Sequence, residues 1–116
     1  HAFTERKDKV AVYDAELADI KQQVDANSAE LDRQAAALAA QAQTLDSLRT
    51  SGEIAAYNTA VPAYNTAVRS YNNLAEKTKQ LIAKFNNILE ERNALALEEQ
   101  ELFQAIDSRP ESRSTR

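Results

Sequence analysis

Cysteine, methionine and tryptophan are absent from this chain, glycine and histidine occur once each, and proline occurs twice. Without cysteine there is no disulfide framework, thiolate nucleophile or zinc–cysteine site, and the redox compartment stays open. Without methionine the chain has no initiator, so it reads as a processed product or a piece of a longer protein. The sole histidine, His1, stands at the terminus, where a tag or a processing step leaves a residue. No run approaches the roughly 18 apolar residues of a membrane span, and no signal-peptide pattern is read. There is no glycine-rich phosphate loop, nucleophile elbow or HExxH metal motif. No catalytic, cofactor-binding or metal-ligating residue is therefore expected, and no cofactor.

The 116 residues carry 18 acidic and 14 basic side chains, a formal charge of −4. This balance lacks the basic patch or stripe of a general nucleic-acid binder, and no nucleic-acid partner is expected. Helix formers dominate: Ala, Leu, Glu, Gln, Lys and Arg are common, and β-branched residues never alternate along the chain. An all-α fold follows.

Apolar residues recur at heptad spacing. Phe3, Val10, Leu17, Val24, Leu31, Leu38 and Leu45 form one row, position a. Tyr13, Ile20, Asn27, Gln34, Gln41 and Leu48 form the matching d row. A pattern sustained over so many heptads is a coiled-coil signal. The three polar d residues weaken its middle, where the Ala35–Ala40 region keeps helix propensity high.

The pattern breaks at Thr50-Ser51-Gly52-Glu53. Gly52 separates two long periodic segments and supplies the backbone freedom that a chain reversal needs. Thr50 and Glu53 also have capping-box spacing for a new helix. The second segment has Tyr57, Tyr64, Tyr71, Thr78, Phe85, Arg92, Glu99 and Ile106 at a, and Ala60, Ala67, Leu74, Leu81, Ile88, Leu95 and Leu102 at d. Folded back, the rows match. Leu31 meets Leu74, Val24 meets Leu81, Leu17 meets Ile88, Val10 meets Leu95 and Phe3 meets Leu102. The other row pairs Ile20 with Phe85, Asn27 with Thr78, Tyr13 with Arg92 and Arg6 with Glu99. Tyr71 faces Gln34, and Tyr64 faces Gln41.

The expected architecture is a long antiparallel two-helix coiled-coil hairpin over 3–107. Helix one runs over about 4–50, the turn over 51–53 and helix two over about 54–107; a disordered tail is expected at 108–116. At 1.5 Å per residue the rod would be roughly 70 Å long. Its core is narrow, and pairing of two hairpins into a four-helix bundle would supplement it. Pro62 is expected either to kink helix two near its start or to mark where the strong helix begins.

Tyr57, Tyr64 and Tyr71 are each followed by asparagine. The rings are expected to cover the weak middle of helix one, with Ala60 and Ala67 leaving room beside them. Asn58, Asn65, Asn72, Asn86 and Asn93 fall at b, a solvated face, and none heads a glycosylation sequon. A layer of Tyr13 against Arg92 is expected to be structural. Glu90, Glu91, Glu98, Glu99 and Glu101 read as an acidic helix surface, without the histidines of a di-metal bundle site.

Helix two carries one more apolar row than a two-helix seam requires. Val61, Val68, Ala75, Ile82, Leu89, Ala96 and Phe103 occupy e, whereas helix one has Asp14, Lys21, Ser28, Ala35, Ala42 and Arg49 there. Val61, Val68, Ile82, Leu89 and Phe103 are the candidate partner-binding or oligomerisation stripe. The partner is expected to be protein: a second copy, or another helical protein.

The stretch from Tyr57 through Asn93, with YNTAVPAYNTAVRSYNNL and KFNNILEERN, and the later IDSR, resembles spacer coiled coils of bacterial exported or envelope-associated proteins. Some of those precede matrixin-like zinc peptidase domains. The resemblance covers the second half of the chain and implies a spacing role and a periplasmic or envelope setting. It carries over no functional residue. The leading reading is a noncatalytic scaffold, spacer or oligomerisation domain. Two alternatives stay open: an adaptor or chaperone-like module that grips a partner helix, and a piece of a larger enzyme without its catalytic domain.

Overall fold

The computed structural model describes the backbone of residues 2–107 and the side chains of 5–98, 100, 101 and 104. The side chains of Phe3, Glu99, Leu102, Phe103 and Ile106, and the whole of 108–116, lie outside the described residues. Among the described residues there are two α-helices and no strand: α1, Ala2–Thr50, and α2, Ile54–Asp107. The fold is an all-α antiparallel helical hairpin. Helix-favouring residues fill both elements, and charge placement supports α1 at each end. Glu5 lies in its first turn and Arg49 in its last, each complementing the helix dipole.

The reversal is made by hydrogen bonds as well as by glycine. Gly52 has φ 76°, in the left-handed region. Its amide donates to the Arg49 carbonyl at 3.2 Å, and the Glu53 amide donates to the Leu48 carbonyl at 3.0 Å. These two bonds form a Schellman motif, which satisfies carbonyls that a helix end otherwise leaves open. The Ile54 amide then donates to the Gly52 carbonyl at 2.9 Å, and α2 begins with the Tyr57 amide on the Glu53 carbonyl, also at 2.9 Å.

Glu53 thus sits at the N-cap, and the capping box expected from Thr50 does not form. Thr50 is still helical, so its hydroxyl turns back and donates to the Asp46 carbonyl at 2.8 Å. Ser51 takes the adjoining role: its hydroxyl donates to the Ser47 carbonyl at 2.8 Å and lies 3.1 Å from the Glu53 carboxylate.

Pro62 lies inside α2, which starts at Ile54 and continues through it. The strong helix therefore does not wait for Pro62. Proline has no amide hydrogen, so the Asn58 carbonyl loses its partner four residues on. Both residues are exposed, which leaves that carbonyl to water.

The chain divides into two compact units. One spans Gln22–Leu81 and contains the turn. Here Val24, Leu31, Leu38, Leu45 and Leu48 of α1 are half-buried, as are Tyr57, Tyr64, Tyr71, Leu74 and Leu81 of α2. Its buried polar group is Thr78, and the hydroxyl donates to the Leu74 carbonyl of its own helix at 2.8 Å. This bond removes the desolvation penalty of a polar seam position.

The other unit pairs the chain up to Lys21 with the chain from Ile82 onward. Leu17, Ile20 and Ile88 are buried here, with Ile20 the most covered at 4% exposure. Polar contacts cross between the helices here. The Tyr13 hydroxyl donates to Glu91 at 3.2 Å, the Arg92 guanidinium donates to Asp14 at 2.8 Å, and Arg6 lies 3.9 Å from Glu98. The first two lie one residue to either side of the Tyr13–Arg92 layer, so the helices stand in the expected register. The layer itself is different. Each long polar side chain passes the ring or guanidinium opposite and reaches a carboxylate on the rim, where a charge-assisted bond forms without burying a charge.

No described side chain is sealed completely from solvent. Fully burying a Leu or Ile is worth about 1.5–3 kcal/mol, and most seam residues here realise only part of that. Two outcomes follow. Gly52→Ala lowers stability by about 1 kcal/mol in urea melts, and Gly52→Asn by less, because a left-handed backbone penalises Cβ. A Cβ at Gly52 meets nothing within 4 Å, so the loss is purely conformational. Ile20→Ala costs more, about 2–4 kcal/mol, as a cavity substitution at the most covered position.

Candidate functional site

The α2 surface beside the seam is the first candidate. Val61, Val68, Ala75, Leu89 and Ala96 are each half-buried, and Ile82 is 45% exposed. Phe103, assigned to the same row, lies outside the described side chains. Within the row, successive members stand two helical turns apart, about 10 Å, so they share a face without touching. The Asn58, Asn65, Asn72, Asn86 and Asn93 row is exposed next to it. The Tyr57, Tyr64 and Tyr71 rings are half-buried in the seam, which is where a packing role places them. Leu97 and Val12, at 55% and 58% exposure, are further uncovered apolar side chains; their positions outside the a, d and e rows carry no sequence signal.

A second feature lies within the turn-containing unit, on the seam's other side. Two open hollows follow each other there, of about 240 and 140 Å³. Ala37, Leu38, Ala67 and Ser70 line the larger; Thr44, Leu45, Ala60 and Ala63 line the smaller; Gln41 lines both. Gln41 stands at a d position and is exposed; Gln34 also lines the larger hollow and Tyr64 the smaller. A third hollow, in the other unit, is lined by Glu5, Arg6, Lys9, Leu95 and Glu98 and is polar.

The shifted ionisable groups have local causes. The hydrogen bond to Glu91 raises the Tyr13 phenol above its ordinary value, with burial and the carboxylate charges of Glu91 and Glu16 adding to it. Hydrogen bonds from Arg33 and then Gln34 lower Glu30, and the Arg33 charge contributes. A hydrogen bond to Asp46, 2.7 Å away, and then its charge, raise Arg49. The last two are contacts within a single helix turn, of the kind that stabilises helix surfaces.

Among the described residues no group of three or more His, Asp, Glu or Cys side chains could hold a metal ion. No helix among them is long and apolar enough to cross a membrane. Comparison with known protein families, with curated protein sequences and with solved structures finds no match for this chain.

The Tyr13–Glu91 bond makes stability pH-dependent. The folded phenol titrates above 10.0, so the bond's contribution is complete below that value and is lost as pH rises through the raised one. Tyr13→Phe should therefore lower the urea midpoint at about pH 8, and its gap from wild type should shrink by about pH 11. A gap equal at both pH values would show that the difference does not come from the Tyr13–Glu91 bond.

Proposed function

We propose that the hairpin is a noncatalytic coiled-coil spacer and association module, which presents the Val61, Val68, Ile82 and Leu89 row of α2 to a helical protein partner. One observation carries this reading: the row is apolar at every described position, yet α1 covers it only in part and leaves Ile82 45% exposed. Covering such a row gains roughly 25 cal/mol per Å² of apolar surface. α1 offers Asp14, Lys21 and Ser28 toward that side, which are poor partners for Ile82 and Leu89. Docking a helix along an apolar stripe is a common recognition mode, and the stripe has the length for it. The resemblance of Tyr57–Asn93 to spacers of exported and envelope proteins supports a spacing role in such a setting.

Replacing the exposed and half-buried members together tests the reading. Ile82→Lys with Leu89→Lys should leave the far-UV circular dichroism unchanged and the urea midpoint within about 1 kcal/mol of wild type, since a lysine stem can lie along the same surface. The same variant should no longer retain a helical partner that the wild-type chain retains. Cooperative loss of helix in the variant would instead put the row in the hairpin's own core and overturn the proposal.

A further inference from the structure

We propose that the hairpin opens by halves: the α1 segment up to Lys21 parts in one step from α2 beyond Ile82, while Gln22–Leu81 stays closed. The parting uncovers the α2 seam residues Ile88 and Leu95 beside the Ile82–Leu89 row, and so widens the apolar face there. The opening stands on its own; only the use of the uncovered face by a helical partner rests on the association reading above.

Connectivity sets which half opens. Gln22–Leu81 is one continuous stretch that contains the turn, whereas the outer unit is built from two stretches joined only through it. When the outer unit opens, it releases two chain ends and leaves no loop behind. If the turn unit opened first, the outer contacts would have to hold all of Gln22–Leu81 shut as one long loop. That carries a closure entropy which the short connection at Gly52 does not.

Burial sets the size of the step. Leu17, Ile20 and Ile88 are buried, and all three lie in the outer unit. In the register that the Tyr13–Glu91 and Asp14–Arg92 contacts flank, Leu17 stands opposite Ile88 and Ile20 opposite Phe85. These layers lose their cover together, which makes the opening cooperative. The polar contacts that cross here join exposed side chains, so water replaces each partner and no buried charge is stranded.

The step also has a place to stop. Just inside the turn unit the seam carries Asn27 opposite Thr78. The Thr78 hydroxyl is satisfied by the Leu74 carbonyl of its own helix, so parting up to this layer costs it no hydrogen bond. Beyond it the Leu31 and Leu74 layer resumes, closer to the tether at Gly52.

Hydrogen–deuterium exchange of the full chain in low urea, read by mass spectrometry, tests this. A parted single helix is marginal in water, so its amides exchange on opening. Amides of 5–21 and 82–98 should share one level of protection, and those of 24–48 and 57–81 a higher one. Two substitutions separate the halves, because an opened outer unit still contains the intact turn. Gly52→Ala should speed exchange in the turn unit about fivefold and leave the outer unit unchanged. Ile20→Ala weakens the closed form relative to every opened one, so it should speed both units, at least tenfold. Equal acceleration of both units by Gly52→Ala would overturn the inference, as would a turn unit less protected than the outer one. Protection that falls steadily from residue 21 to residue 5, with no common level, would also overturn it and reduce the opening to fraying. Ile82→Lys with Leu89→Lys should keep the same order of protection, so loss of partner retention in that variant bears on the association reading alone.

Discussion

The bond from the Glu53 amide to the Leu48 carbonyl is the constraint on which the hairpin depends. It can form only because Gly52 takes a left-handed backbone, and it closes α1 one residue after Thr50. With so short a connection, the end of one helix fixes the start of the next. The heptad rows of the two helices can then meet in few ways, and the apolar spacing selects one of them. Tyr13–Glu91 and Asp14–Arg92, far from the turn in sequence, flank the Tyr13–Arg92 layer that this pairing predicts.

Because the seam is a single layer between two helices, coverage takes the place of depth. Thr78 shows how a polar residue is accommodated in it: the hydroxyl is satisfied by its own helix, so the partner helix supplies only van der Waals contact. The tyrosine repeat uses a similar economy. Each ring lies half in the seam beside an alanine, while the following asparagine is left in water. The Tyr-Asn pairing is thus a heptad position and its outward neighbour, and the large rings compensate for the glutamines opposite them.

The hairpin was legible in the sequence because its causes are periodic and local. Rows of Leu, Val and Ile at steps of three and four, broken at a single glycine, specify two helices and their pairing. Contacts that depend on reach were less legible. Thr50 and Glu53 have the spacing of a capping box, but which residue becomes the N-cap depends on where the left-handed residue ends the preceding helix. Tyr13 and Arg92 occupy one layer, but both side chains are long enough to leave it for carboxylates that remain hydrated. The stripe residues could be named from heptad position, whereas the exposure of Ile82 relative to Leu89 depends on what α1 places beside each. The hollows at Gln41 were hidden for another reason: they arise from side-chain volumes summed across two helices. The lack of charge in Gln34–Leu45 and Ile54–Val68 was the signal available in one dimension.

The same turn sets an order in time. Leu45 and Ala60, which line one hollow, are brought together by closing a short loop around Gly52, whereas Tyr13 and Glu91 require the chain between them to be gathered in. Loop-closure entropy rises with the logarithm of length, by about 0.6 kcal/mol for each doubling. Once the residues next to Gly52 have met, each further layer adds only its own short increment. Assembly from the turn outward therefore meets the smallest entropic barrier.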